Sequence, residues 1–283
     1  MSEILTAGGI MFGIALVFGT VLAVAYRWLR VYEDPRIDEV EARLPGSNCG
    51  ACGQPGCRAF AEAIVAGRSP PAGCSVSSPD AIATIAEYLG VEAGELDRKV
   101  ARLQCAGGIS SVEQLATYRG IPSCRGAFTV NGGGRACSWG CLGLGDCDVA
   151  CTFDAIRMGA ERLPIVAVDL CTACGDCVDV CPVDLFVLLP LSQQTVVQCS
   201  SPLTGDAARA ACSVACDACG RCALDASPGA IEMEGGLPVI RNPSLCVESC
   251  TWRCPTGAIQ WVTGGQFGAA PQASAAAVEA RHG

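Results

Sequence analysis

Histidine is nearly absent from this chain of 283 residues; His282 is the only one. That scarcity excludes most zinc enzymes, histidine-ligated haem and any Ser-His or Cys-His nucleophile. No Cys-x-x-Cys-His occurs, so covalent haem attachment is excluded too. Lysine is as scarce, with Lys99 alone. Basic residues are outnumbered by acidic ones, 19 against 28, and the net charge of −9 argues against a nucleic-acid partner. No nucleotide-binding loop is visible: Gly107-Gly108 and Gly132-Gly133-Gly134 read as turns. No flavin-attachment motif occurs, so nothing here points to hydride transfer.

The abundant residue is cysteine, 22 in all. In a short secreted chain that would mean disulfides. In a chain this long, with cysteines at gaps of two and three residues, it means metal held by thiolates.

Gly8 to Tyr26 carries no charge and is just long enough for a bilayer core of about 30 Å. A buried core helix or a signal peptide is the bland alternative. A signal peptide wants positive charge before the apolar run, and only Glu3 precedes this one. Arg27, Arg30 and Arg36 follow it, which places the rest of the chain on the cytoplasmic side of the cell (inner) membrane by the positive-inside rule. Helices are expected after Pro35, over 58–66 and over 80–89, the last announced by Ser78 and Pro79. Beyond residue 126 the chain is dense in cysteine with short β-like pieces. Cys177-x3-Cys181-Pro recurs as Cys250-x3-Cys254-Pro, and each copy follows a small hairpin candidate, at 155–168 and 230–240. A duplicated ferredoxin-like unit is expected.

The strongest motif is Cys171-x2-Cys174-x2-Cys177-x3-Cys181-Pro182, the bacterial ferredoxin run, in which three thiolates wrap one cubane and the fourth serves its neighbour. A zinc knuckle is the competing reading, but zinc sites separate two Cys-x-x-Cys pairs by a longer insert. Upstream lies Cys137-x3-Cys141-x5-Cys147-x3-Cys151. Crossed ligation then predicts one cluster from Cys137, Cys141, Cys147 and Cys181, and another from Cys151, Cys171, Cys174 and Cys177. In the second unit, Cys216, Cys219 and Cys222 find their fourth ligand in Cys254. The other cluster of that unit is damaged: Ala226-Ser227-Pro228 stands where a cysteine belongs, and only Cys246 and Cys250 remain. Ser227 as an oxygen ligand is weighed and loss of the cluster preferred. Near the N-terminus, Cys49-x2-Cys52-x4-Cys57 with Cys74 makes another four-thiolate set, with glycines that let the backbone come close.

Six cysteines are left over. Such cysteines are commonly small buried apolar residues. Cys105, Cys124, Cys199 and Cys212 flank the first ferredoxin unit and are candidates for a fifth cluster; Cys246 and Cys250 are weaker candidates for a sixth. The expectation is at least four 4Fe-4S clusters, with five or six open.

With these motifs on view, the chain resembles the RnfB family, the iron–sulfur subunits of the Rnf electron transport complex. The resemblance runs from the single N-terminal helix through Glu33-Asp34-Pro35-Arg36-Ile37 and Leu44-Pro45-Gly46-Ser47-Asn48-Cys49-Gly50-Ala51-Cys52. It continues through Cys105-Ala106-Gly107-Gly108 and Cys137-Ser138-Trp139-Gly140-Cys141 to the tandem ferredoxin units. It implies an electron-transfer subunit of a translocase that couples ferredoxin and NAD chemistry to cation transport, with nicotinamide and flavin on other subunits. Its partners would be those membrane and peripheral subunits, and soluble ferredoxin as donor or acceptor. The degraded last unit departs from the pattern.

The fold class expected is α+β: an anchor helix (1–30), a cysteine-rich 4Fe-4S module (31–92), a ferredoxin-like domain with two clusters (93–192), a degenerate second one (193–263) and a disordered tail (264–283). Rival readings are a ferredoxin-like subunit of another membrane oxidoreductase, one in a complex reducing a redox-sensing regulator, and, in another class, a zinc-thiolate scaffold.

Overall fold

The computed structural model describes residues 2–29, 33–95 and 98–268. Arg30, used in the orientation argument, and His282 lie outside them.

Helix α1 spans Ser2–Leu29. Its stretch Ala7–Leu29 has 23 residues, a mean hydropathy of 2.2 and no burial. A core helix would be covered; this one presents apolar side chains all round, from Ile10 to Leu29. At 1.5 Å per residue it measures about 34 Å, long and apolar enough to cross a membrane.

A three-helix module follows: α2 (Pro35–Arg43), α3 (Cys57–Val65) and α4 (Pro79–Leu89). The start signals act as expected. Asp34 accepts from the Arg36 amide and Ser78 from the Ala81 amide, each with proline at the first helical position. Gly90 ends α4 in the left-handed region at φ 65°. Val40, Phe60, Ile64 and Ile85 form the core of the module, with Cys74 among them. Arg58 bridges to Glu33, Asp38 and Glu41, tying the module to the chain that leaves the anchor.

Two units of one design come next. In the first, β1 (Lys99–Leu103) pairs antiparallel with β4 (Phe186–Pro190), Leu103 opposite Phe186. Between them lie α5 (Cys124–Thr129), α6 (Asp146–Ala150), the hairpin β2 (Ile156–Met158) and β3 (Pro164–Val166), and α7 (Asp176–Val180). In the second, β5 (Thr195–Val197) pairs with β8 (Ile259–Trp261). These enclose α8 (Gly205–Ala211), α9 (Arg221–Asp225), the hairpin β6 (Ile231–Glu234) and β7 (Leu237–Ile240), and α10 (Ser249–Trp252). Each unit closes by pairing its first strand with its last around a hairpin and three short helices, and this is the duplication that the repeated cysteine motif announces.

Of the tail expected over 264–283, residues 264–268 are packed on the first unit and 269–283 lie outside the described residues. Gln266 donates to the Leu103 carbonyl at 2.6 Å and accepts from the Leu103 amide at 2.8 Å. The carbonyl of Gly264 takes a hydrogen bond from Arg102, and Phe267 packs on the core of the first unit. Strand β1 has a partner on one side only, and the Gln266 amide satisfies the free edge as a neighbouring strand would. Gln266→Ala should therefore lower stability by about 1–2 kcal/mol, two hydrogen bonds' worth, read as a shift in the thermal unfolding midpoint of the holoprotein.

Candidate iron–sulfur sites

The cysteines gather in fours. Cys151, Cys171, Cys174 and Cys177 line one small cavity, the grouping that crossed ligation calls for. Cys216, Cys219, Cys222 and Cys254 line another. In the N-terminal module Cys52 and Cys57 pack with Cys74, and Cys52 feels the charges of Cys49 and Cys74.

The remaining set of the first unit differs from expectation. The cavity opposite Cys181 is lined by Cys124, Cys141 and Cys147, not by Cys137. Helix α5 delivers Cys124 there: Asp146, at the start of α6, accepts from the Cys124 and Arg125 amides at 2.9 and 3.1 Å. Cys137 turns the other way. It faces Cys199, and Cys212 faces both Cys137 and Cys199. Cys105 completes this group, with Cys137 and Cys212 as its charged neighbours. Glycine leaves the space between them: a Cβ at Gly107 would sit 3.0 Å from the Cys212 sulfur and 3.6 Å from that of Cys105. A Cβ at Gly140 would lie 3.4 Å from the Cys137 sulfur and 3.7 Å from that of Cys105.

The chain does carry a signal for this group, in the repeat rather than in cysteine spacing. Leu103-Gln104-Cys105 follows β1 and Val197-Gln198-Cys199 follows β5, so the two cysteines hold equivalent places. The two strand ends lie together, with the Ala106 amide on the Gln198 carbonyl at 3.0 Å.

Cys246 and Cys250 stay apart from every set. Cys250 is fully buried, and both pack with Cys222, Ala226, Ala230 and Ile231. The cysteines packed against the pair, Cys222 and Cys254, line the Cys216 cavity instead, and Ala226 packs beside them.

The donor chemistry fits a cluster. Burial, followed by the charges of neighbouring sulfurs, drives the Cys141 and Cys177 thiols up to about 12 and the Cys147 thiol higher still. Burial takes Cys105, Cys216 and Cys222 up to about 11. Neighbouring thiolates at these depths need a cationic guest, and iron provides it. The backbone is arranged for the sulfurs as well. The amide two residues on faces the sulfur at Cys52, Cys105, Cys137, Cys141, Cys174, Cys212, Cys216 and Cys219. Ala173 and Ala218, at the same place in the two Cys-x-x-Cys loops, take φ of 60° and 61° to achieve it; such a backbone costs a residue with a Cβ roughly 1–2 kcal/mol. A guanidinium adds to this: Arg102 is 1 % exposed, feels the charge of Cys171, and has Nε and Nη2 without partners.

Zinc and a cubane ask for different sulfur spacings. Zn–S bonds of about 2.3 Å would draw four sulfurs to within about 3.8 Å of each other. Among the described residues no group of three or more His, Cys, Asp or Glu is gathered tightly enough for a single ion. Thiolates that each bind a different iron of one cubane stand farther apart.

Comparison with known proteins agrees. A family model described as a putative Fe-S cluster matches residues 44–76, and one described as a 4Fe-4S binding domain matches 164–186. Over 92 % of its length the chain is 40 % identical to the B component of the Na(+)-translocating ferredoxin:NAD(+) oxidoreductase complex of Acetobacterium woodii, covering 80 % of that protein. It is 37 % identical to the proton-translocating counterpart of Clostridium ljungdahlii, over 89 % of this chain and 90 % of that one. With the B component of the ion-translocating oxidoreductase complex of Methanosarcina acetivorans the identity is 33 %, over 92 % and 98 %.

Proposed function

Because the chain belongs to the RnfB family, the B components of the ion-translocating ferredoxin:NAD(+) oxidoreductase complexes, we propose that it conducts electrons between soluble ferredoxin and the membrane subunits of such a complex through five 4Fe-4S clusters. When bound, each cluster takes up and gives off one electron at a time. The ligand sets are Cys49, Cys52, Cys57 and Cys74; Cys151, Cys171, Cys174 and Cys177; Cys124, Cys141, Cys147 and Cys181; Cys105, Cys137, Cys199 and Cys212; and Cys216, Cys219, Cys222 and Cys254.

The observation that supports this reading is that each proposed set has a neighbour in the next. Ser75, beside Cys74, donates to the Thr172 carbonyl at 3.0 Å and so joins the N-terminal module to the Cys171 loop. Cys147 feels the charge of Cys177 in the next set. The Cys141 amide donates to the Cys105 sulfur at 3.3 Å. Cys216 feels the charge of Cys199. One end of this series lies in the module tied to the anchor, on the cytoplasmic face. The other is the Cys216 set, which contains the only exposed cysteine, Cys219.

Ferredoxin meets that far end. Leu224 (79 % exposed) and Trp252 (71 % exposed) stand on the contacting helices α9 and α10, beside exposed Arg221. An apolar pair next to a cation offers an acidic donor a foothold on an otherwise acidic chain. In the purified complex, Leu224→Glu with Trp252→Glu should raise the KM for ferredoxin by about tenfold or more, the loss of roughly 1.4 kcal/mol of binding. Iron content should not change. An unaltered KM would move the docking site elsewhere.

A further inference from the structure

We propose that the insertion between β1 and α6 carries a binding site for a small organic anion. The cavity there measures about 280 Å³ and is lined by no cysteine, so it is separate from the cluster sites. Its walls come from the 109–133 segment and from Arg135, Leu142, Leu144 and Arg162. A volume near 300 Å³ is the lower end of the range for small-molecule sites and far exceeds what a bare ion needs.

Two arginines set the sign of the ligand. Arg135 is only 9 % exposed. Its Nη2 donates to the carbonyls of Gly107 and Gly108 at 2.8 and 3.3 Å, and its Nε is buried without a partner. Among the described residues no carboxylate pairs with Arg135 or Arg162. Glu161, the acid nearest in sequence, is engaged by the amide and hydroxyl of Ser110 at 3.0 and 2.7 Å. A buried guanidinium with no carboxylate partner and one nitrogen without a hydrogen-bond acceptor is costly, and in a chain of net charge −9 acids to pair it are plentiful elsewhere. Ile109, Tyr118, Leu142 and Leu144 offer the rest of the cavity as an apolar wall. The occupant is therefore a carboxylate, sulfonate or phosphate ester with an apolar or aromatic body, its charged end held by the two guanidiniums.

The site has a lever on conduction, a step that rests on the ligand sets proposed above. Arg135 lies within electrostatic reach of the sulfurs of Cys137, Cys141 and Cys212, which belong to two successive sets. An anion that neutralises Arg135 makes both clusters harder to reduce.

The test uses the full-length, cluster-loaded protein in detergent, titrated by calorimetry with 1-naphthyl phosphate and, separately, with uncharged 1-naphthol. One molecule of the phosphate should bind per chain, and the naphthol should bind at least about tenfold more weakly, a difference of roughly 1.4 kcal/mol. Arg162→Gln, at an exposed position, should weaken the phosphate about tenfold as well with iron content unchanged, the loss of one charge-assisted contact. No saturable binding, or binding indifferent to Arg162→Gln, overturns the site. In an EPR-monitored redox titration, saturating 1-naphthyl phosphate should move two cluster signals to lower potential. Binding with every potential unmoved overturns the link to conduction. Iron counts that contradict five clusters would undo the ligand sets while leaving the calorimetry readable.

Discussion

Cys199→Ala is expected to lower the iron content from about twenty to about sixteen per chain, four irons for one cubane, and to stop electrons from passing between the ferredoxin end and the anchor end. Cys199 sits just past β5 among Val112, Cys137 and Cys212, with 8 % of its surface exposed. Its set stands next to the Cys216 set, with which it packs. Three variants make the test sharp. Cys137→Ala should erase the same EPR signal as Cys199→Ala. Cys124→Ala should erase a different one, because Cys124 shares its cavity with Cys141, Cys147 and Cys181. Cys246→Ala should leave about twenty irons in place, since the cysteines packed near Cys246 and Cys250, Cys222 and Cys254, belong to the proposed Cys216 set. Should Cys124→Ala erase the signal that Cys199→Ala erases, and Cys137→Ala a different one, the crossed set that chain spacing suggests would be restored. Iron and sulfide assays with EPR during stepwise reduction give the readout.

Arg102→Met should lower the potential of the cluster held by Cys151, Cys171, Cys174 and Cys177 by roughly 100 mV. The side chain is all but fully buried on β1, with one nitrogen on the Gly264 carbonyl and two without a partner. Burial pulls its pKa down and the Cys171 sulfur pulls it back up, but guanidinium does not give up its proton in a protein. A fixed positive charge favours the reduced, more negative form of the cluster. At an effective dielectric of about 20 a unit charge this close is worth about 2 kcal/mol, and about 2.3 kcal/mol corresponds to about 100 mV for one charge. Arg102→Lys keeps the charge and should recover most of the potential. This cluster is the last before the N-terminal module, so a lower potential there raises a barrier directly on the way to the anchor. A potentiometric titration in which Arg102→Met leaves this signal in place would show that the two free nitrogens do not act on the cluster.

Much of this was written in the chain. A nineteen-residue apolar run is long enough to form a membrane-length helix, and α1 extends it at both ends. Ser78-Pro79 and Gly90 bound α4 because side-chain caps and left-handed glycine are local chemistry. The two hairpins at 156–166 and 231–240 stand where short β-like pieces precede each Cys-x3-Cys-Pro. The two Cys-x-x-Cys-x-x-Cys runs gather with Cys151 and Cys254 as their spacing suggests, for the same reason: two intervening residues fix where neighbouring sulfurs point.

Where the sulfurs come from distant segments, spacing has no such grip. Cys105, Cys137, Cys199 and Cys212 span more than a hundred residues and meet because β1 and β5 end side by side, a consequence of each unit closing first strand to last. Cys124 displaces Cys137 from the Cys141 set because Asp146 anchors the start of α5, a contact across twenty-two residues. Gln266 belongs to the fold rather than to a tail because β1 has an open edge, and that edge exists only once the sheet has formed. Composition and motif order alone made this protein an anchored, thiolate-rich electron carrier. The five proposed sets of four, with one pair left over, needed the tertiary structure, because sulfur partners are chosen by proximity in space, which strand pairing creates and chain order does not record.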